Sequence, residues 1–578
     1  MAAEGFVDWK GSPVDKRRHG GTRAAMFIYF LVVMSNMAYV SNVLNLVTYL
    51  HGTMHTGVAS SSTTVTNFIG GTCAFALLGA FVSDSYITRL KTMLIFGPFQ
   101  FLGFGLLALQ AHVPSLRPPQ CDTAAEWSNC KQIHGFNAGL LYVAMYTIAL
   151  GEGCIRAALA SFGGDQFDND DPVESQKKSS FFNWFAFGIS LGAFTGLILI
   201  VWIENNRGWD WGFALSAFVI LLGLVALACG FPFYRNFKPV GSPLTRLLQV
   251  LVAAFKNRKL ILPQNVDDLG KQHAQEDTVG MEDLPPTKGL RFLEKAAISH
   301  GRAGGWSYCT TTKVEETKAV LRMVPIFVSA TLSYTPAPLI MTFTVQQGST
   351  MNTKLGKIHI APASLLVIPV VFQMVILVAY DRFFVPFARR ITGYTSGITH
   401  LQRVGIGFLS ISLATCVAAI IERKRKMLAE ESGLTDSGVA VPMSVLWLGM
   451  QFFVLGITDV SAFVGLLEFF NSEAPRGMKS MGTAIFWCVI GLSSLMGTFL
   501  VEVVNRCTRR GDGVDGWLEG NNLNRSQLDL FYWLLSVLGL VALLNYLYWA
   551  RKYAYRQDPR VKQATTGSAT SHKSSMEL

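Results

Sequence analysis

The chain carries about twelve runs of predominantly apolar residues, each close to the ~20 residues that a helix needs to cross a bilayer. They lie near residues 24–50, 61–83, 92–112, 136–160, 180–203, 211–232, 319–344, 361–387, 402–421, 443–468, 482–504 and 528–550. Inside a membrane no water satisfies a peptide group, so each run must pair its own N–H and C=O groups as a helix. This predicts an all-α membrane protein. Composition agrees where it bears on the point, because only 15% of the 578 residues are charged, well below the ~25% usual in soluble domains.

A long polar segment, Phe233–Lys318, separates the sixth run from the seventh. The expected organisation is a terminal segment 1–23, a six-helix half 24–232, a linker 233–318, a second six-helix half 319–550 and a tail 551–578. Placing both termini and the linker in the cytosol puts Lys10–Arg23, Arg89 with Lys91, Lys177-Lys178, Arg389-Arg390 and Arg551–Lys562 inside, as positive-inside bias requires. Arg423–Lys426 and Arg506–Arg510 are then left outside, against the rule. The net charge of +11 reads as anchoring to anionic lipid, and no nucleic-acid motif accompanies it. No cleavable leader is expected, since Met1–Arg23 is polar and the next run is too long for the apolar part of one. Seven of the nine cysteines read as packing residues. Cys121 and Cys130 share the non-cytosolic loop Val113–His134, where a disulfide is expected. Asn524-Arg525-Ser526 is a glycosylation sequon on the same side, set close against the last span.

Two charges interrupt the apolar runs. Arg156 lies within Phe136–Phe162 and Asp459 within Val441–Phe470. A charge at that depth costs ~2.5–3.5 kcal/mol or more on insertion scales, so it persists when paired or when it faces a watery cavity. Both residues are functional candidates, with a purely structural ion pair as the alternative. Glu152 stands one turn before Arg156 on the same helical face; it can neutralise the arginine during insertion or serve as a protonatable group. Ser35, Tyr39 and Asn42 form a polar stripe on the first helix, suited either to lining a cavity or to interhelical hydrogen bonds.

The run Phe162-Gly163-Gly164-Asp165-Gln166-Phe167-Asp168, followed by Ser180-Phe181-Phe182-Asn183-Trp184-Phe185, resembles the signature of the plant nitrate/peptide transporter family, the plant branch of the proton-coupled oligopeptide transporters within the major facilitator superfamily. The resemblance extends to Asn45–Leu50, Gly79–Lys91 with Asp84 and Arg89, Phe292–Ala297, Thr399–Gly405 and Glu468-Phe469-Phe470 before Ala474-Pro475. It covers roughly residues 8–555. The stretch Trp202–Trp209 and Asp459 are most similar to the subfamily that moves abscisic acid and gibberellins. The resemblance implies the major facilitator fold, about twelve helices in two six-helix halves around a central cavity, with the fifth-helix segment Asn183–Gly192 beside it. It also implies that Arg156, in Gly153-Cys154-Ile155-Arg156, takes the place of a family lysine, and that Asp459 takes that of its acidic partner on the tenth helix. Such a pair would be a gate between the halves.

Three departures from the family pattern matter. Its Glu-x-x-Glu-Arg motif on the first helix falls here on Val32, Ser35 and Asn36, which removes the carboxylates that bind the transported proton, so weak or absent proton coupling is expected. The histidine of the nitrate-transporting relative falls on Ala337, which disfavours a small inorganic anion. Glu152 is a gain where the family has a small or neutral residue. The expected function is secondary transport of a small organic anion, such as abscisic acid or a gibberellin, by alternating access in the plasma membrane. The alternatives are a transport-deficient sensor of the same fold and a carrier of nitrate or another metabolite. The sequence shows no catalytic constellation, and neither cofactor nor metal is expected.

Overall fold

The computed structural model describes residues 6–555 apart from 16–17, 57, 120–131, 169–170, 240, 261–286, 288, 299–305, 353, 356–357, 360–364, 366, 395, 436–439, 510–515 and 519–522. Cys121 and Cys130 lie outside the described residues. Twelve helices among them are long and apolar enough to span a membrane: Gly21–Gly52, Thr63–Ser85, Arg89–His112, Gly135–Gly164, Val173–Asn206, Trp209–Cys229, Thr311–Ser349, Val367–Thr392, His400–Glu431, Val445–Glu473, Arg476–Thr508 and Leu528–Lys552. They are called spans 1 to 12.

Local signals set where these helices begin and bend. Thr88 caps span 3 by accepting the Lys91 N–H, and Asp171 caps the helix of span 5 with Pro172 at its first position. Span 9 opens on a reciprocal box: Gln402 N–H donates to Thr399 Oγ1, while Gln402 Oε1 accepts the Thr399 N–H. Span 7 begins at Thr311, within the segment read as linker, and divides into Thr311–Tyr334 and Pro336–Ser349 where Pro336 removes a donor. Spans 8 and 10 each contain a π-helical turn, Tyr380–Phe384 and Asp459–Phe463. In such a turn the ladder is one residue out of step.

Spans 1 to 6 pack mainly with one another, and spans 9, 10 and 12 with span 7 form most of the contacts of the second half. The halves meet where span 2 and span 4 lie against span 11, and span 5 against span 8. Spans 2 and 4 cross closely because of glycine. A Cβ on Gly79 would sit 2.5 Å from Cys154 Cα, and one on Gly153 would sit 2.4 Å from the Thr72 carbonyl oxygen. With an even number of spans in each half, the linker and both chain ends share one face of the bundle, called here the linker face. There Phe6–Val7 pairs antiparallel with Asn236–Phe237, and the amphipathic helix Pro243–Lys256 packs on the start of span 7, with Arg246 3.5 Å from Glu316. Glu294, from the Phe292–Ala297 motif, takes the buried Lys318 ammonium at 2.9 Å.

Of the two charged clusters that break the positive-inside pattern, the second has Arg506 paired with Glu502 at 2.7 Å, and the first is held by neighbours in its own half. Arg425 is fully buried against Glu422 at 2.7 Å and donates to Thr350 and Asn524. Lys426 pairs with Asp529 at 3.0 Å, and Lys424 lies 3.8 Å from the centre of the Trp447 ring. Asn524 therefore spends its side chain on Arg425, which leaves the sequon poorly presented for glycosylation.

Candidate functional site

Arg156 sits between the halves with its guanidinium sandwiched by two aromatic rings, Tyr39 of span 1 at 4.4 Å and Trp487 of span 11 at 4.3 Å. Its Nε donates to Glu152 Oε1 on the same helix. Ser35 Oγ and Gln100 Nε2 each donate to Glu152 Oε2 at 2.7 Å, so the fully buried carboxylate receives three hydrogen bonds. Tyr39 in turn donates to Thr72 Oγ1 at 3.1 Å. The outcome is a neutralised but directional group. Glu152 cancels the charge that burial would penalise, while the hydrogen bonds of Arg156 run through Nε alone among the described residues. The two Nη groups form the fork that can clamp a carboxylate by parallel hydrogen bonds.

Arg156 and Asp459 form no ion pair in this structure. Asp459, first residue of the span 10 π-turn, instead accepts the Tyr334 hydroxyl of span 7 at 3.4 Å. What connects the two charges is an aromatic wall: Trp487 packs on Phe463, at the other end of the same π-turn, with ring centres 5.8 Å apart, and Phe486 lies 4.9 Å from Phe463. Arg156 thus finds its counter-charge four residues away rather than across the interface. The expected Arg156–Asp459 pair is not formed in this conformation, where Glu152, fixed by two further donors, holds the guanidinium instead.

The other predicted residues separate. Ser35 and Tyr39 belong to the Arg156 cluster. Asn42 does not; its amide donates to the Ala38 carbonyl and to Ser216 Oγ at 2.8 Å, tying span 1 to span 6 inside the first half. Asn36, in the place of the family arginine, turns back onto the Val32 carbonyl at 2.8 Å. Asn183 is found nearer the linker face. Its amide donates to Asp381 at 2.8 Å, and its oxygen accepts Arg403 Nη2 at 2.8 Å. Ser180 and Trp184 also donate to Asp381, at 3.0 and 3.2 Å. Arg403 is anchored from behind: Nε and Nη2 donate to the Val460 carbonyl, Nη1 reaches Glu468 at 3.4 Å, and the Tyr380 ring covers the guanidinium at 4.2 Å. The Val460 oxygen is within reach because it belongs to the π-turn, where the regular ladder is interrupted.

A second set of contacts closes the linker face where span 11 begins. Arg89 binds Asp165 and Asp84 and donates to Ser480, while Asp84 Oδ2 accepts the Met481 N–H at 2.9 Å. Lys479 reaches Asp165 at 2.8 Å, and Ser161, Asn471 and Thr483 form a hydrogen-bonded triplet across the halves. Burial pushes the Asp165 carboxyl up, but Arg89 and Lys479 outweigh it and hold it below the ordinary carboxylate value. The signature residues Asp165 and Asn183 thus join the halves rather than contact the Arg156 cluster.

Sequence reasoning missed Gln100, Trp487, Tyr334, Phe463, Arg403 and Asp381. Asp381 carried the same signal as Arg156, a charge within an apolar run. The aromatic and amide residues carried none, because such residues are ordinary in membrane helices.

Comparison with known proteins agrees with this architecture. Residues 90–518 match the PTR2 family model, described as the POT family. The chain is 39% identical over 575 residues to protein NRT1/PTR FAMILY 4.6 of Arabidopsis thaliana, covering 96% of this chain and 97% of that protein. Protein NRT1/PTR FAMILY 4.3 of the same plant is also 39% identical, with 95% and 93% covered. Among solved structures, the POT family transporter PepTSo superposes with a TM-score of 0.59 at 17% identity, covering 92% of this chain and 98% of that one. A POT family transporter in complex with 5-aminolevulinic acid gives 0.57 at 13% identity, covering 92% and 96%. Those two structures bear on the fold, and the sequence relatives bear on the lineage. The chain belongs to the POT family, with its NRT1/PTR relatives, and is a multi-pass membrane transporter of small substrates.

Proposed function

We propose that this transporter carries a small organic anion with an apolar body, a plant hormone carboxylate such as abscisic acid or a gibberellin, across the plasma membrane by alternating access. The observation that carries this reading is Arg156 held between Tyr39 and Trp487 with Nε committed to Glu152. One guanidinium fork amid aromatic walls suits a single carboxylate attached to a hydrophobic ring system. A nitrate ion would gain little from those walls, and a dipeptide would bring an ammonium with no second carboxylate placed for it beside Arg156. The linker face is read as cytosolic, in line with the basic residues that gather there. Its interlocking contacts then make this conformation closed toward the cytosol.

Proton coupling is read as weak. Val32, Ser35 and Asn36 leave no titratable group on the first span at the family positions, and Glu152 is committed to three donors. Of the two acids near the centre, Glu152 is fully buried while the partly exposed Asp459 is held by a single long hydrogen bond, so any residual coupling is assigned to Asp459.

Uptake by oocytes of labelled abscisic acid, gibberellins, nitrate and a dipeptide, measured against uninjected cells at several pH values, tests the reading. Hormone uptake well above nitrate and dipeptide is expected, with a shallow carrier-specific pH profile. Nitrate uptake exceeding that of every hormone would overturn the substrate class. Absence of all uptake by protein present at the surface would favour the sensor reading, which the loss of the first-helix motif already supports.

A further inference from the structure

The least buried of the twelve spans is span 8, with 11% of its apolar window covered. On its outer side lies a groove of about 720 Å³ whose walls include Tyr380, Phe383, Phe384 and Phe387, with Arg382 and Arg390 at its edges. Phe383 and Phe387 are 75% and 64% exposed. An apolar groove facing lipid accepts any acyl chain, so this lining alone specifies nothing. The two arginines do. Neither forms an ion pair among the described residues, whereas the intervening Arg389 turns toward Gln176 of span 5 at 3.2 Å.

Arg382 and Arg390 stand eight residues apart, about 12 Å along a helix, on the part of span 8 that leads to the linker face. An exposed guanidinium at the edge of hydrocarbon is expensive unless its stem snorkels to the surface or an anion reaches it. Arg382 lies 5.7 Å from the Trp184 ring, which is a partial partner but carries no charge. The π-turn Tyr380–Phe384 contains Arg382 together with Asp381, which faces span 5 and accepts from Ser180, Asn183 and Trp184.

We propose that this groove is a binding site for an anionic phospholipid of the leaflet on the linker face. The phosphate and headgroup are held between Arg382 and Arg390, and one acyl chain lies along Tyr380, Phe383, Phe384 and Phe387. The site abuts the contact between the halves, because Arg382 packs on the same Trp184 whose indole N–H donates to Asp381. Headgroup charge, not chain packing, is the source of selectivity.

The test uses the full-length protein purified in detergent and titrated with dioctanoyl phosphatidylglycerol or dioctanoyl phosphatidylcholine, with bound lipid counted by native mass spectrometry and thermal unfolding followed in parallel. The anionic lipid is expected to bind on the order of 10-fold more tightly than the zwitterionic one and to raise the unfolding temperature. The double variant Arg382→Gln/Arg390→Gln should lose that preference while unfolding normally without lipid. Arg551→Gln, a basic residue on the same face outside the groove, should keep it. Equal binding of the two lipids by the natural protein, or an unchanged preference in the double variant, overturns the proposal. Stabilisation by inorganic phosphate at the lipid's concentration also overturns it, since that marks a site for the free anion. If the double variant unfolds early, Arg382→Lys/Arg390→Lys decides instead: retained preference supports the site and lost preference counts against it.

Discussion

A single guanidinium carries most of the chemistry assigned to the centre of this molecule, and its neighbours specify how it can be tested. Arg156→Ala leaves Glu152 buried with its counter-charge gone, a change that typically costs ~3–5 kcal/mol. Uptake should be abolished, with surface protein measured alongside; normal uptake would reduce Arg156 to scaffolding. Tyr39 separates stacking from hydrogen bonding. Tyr39→Phe keeps the ring 4.4 Å from Arg156 and loses only the bond to Thr72, so transport should change little. Tyr39→Ala removes a cation–π contact of ~0.5–2 kcal/mol, which predicts roughly a 2- to 30-fold rise in KM. Equal losses in the two variants would show that the hydroxyl matters and the ring does not, and no loss in either would remove Tyr39 from the site. At this scale the sequence pointed to Arg156, Glu152 and Asp459, charges that interrupt apolar runs, but Asp381 carried the same signal and was passed over. It was silent on Trp487 and Gln100, whose importance comes from facing Arg156 and Glu152 across a helix interface. The Arg156–Asp459 pairing came from the resemblance, whereas in this conformation the one-turn spacing of Glu152, also legible in the sequence, supplies the counter-charge.

Between residue and molecule stand the helices that change register. The π-turn of span 10 presents the Val460 carbonyl to Arg403, and that of span 8 contains Asp381, so two irregular turns frame one contact with Asn183. Asp381→Ala orphans three donors on span 5. With spin labels at Lys177→Cys and Ile391→Cys, it should shift the distance distribution to longer values; an unaltered distribution would deny the contact any part in closure. The Asp165 cluster predicts a pH effect whose sign is fixed. Because the folded carboxyl lies below its ordinary value, its contribution is complete above the unfolded value of about 3.9 and is lost as pH falls through the lower folded value. Asp165→Asn should therefore lower stability by roughly 1.5–3 kcal/mol at pH 6–8, with the gap to the natural protein narrowing below about pH 4. A gap that widened in acid would contradict the arrangement. Neither π-turn was legible in the sequence, since an inserted residue leaves hydropathy unchanged.

At the level of the whole molecule, apolar length was sufficient to count the spans, because a bilayer admits few alternatives to helices. The arrangement of the halves came from motif resemblance and not from hydropathy, which is blind to contacts between helices. Orientation can be checked with two cysteines that are exposed at opposite faces, Cys229 at the end of span 6 and Cys507 at the end of span 11. An impermeant thiol reagent applied to intact cells should modify the peptide containing Cys507 and spare the one containing Cys229 until the membrane is permeabilised. The reverse pattern would invert the topology. Both irregular turns lie in the second half, in spans 8 and 10, and the Pro336 bend of span 7 joins them there, while the crossing of spans 2 and 4 in the first half is locked by glycine-sized gaps. Three spans of the second half thus interrupt the regular helical ladder, and two of those interruptions carry the groups, Asp381 and the Val460 carbonyl, around which Asn183 and Arg403 join the halves.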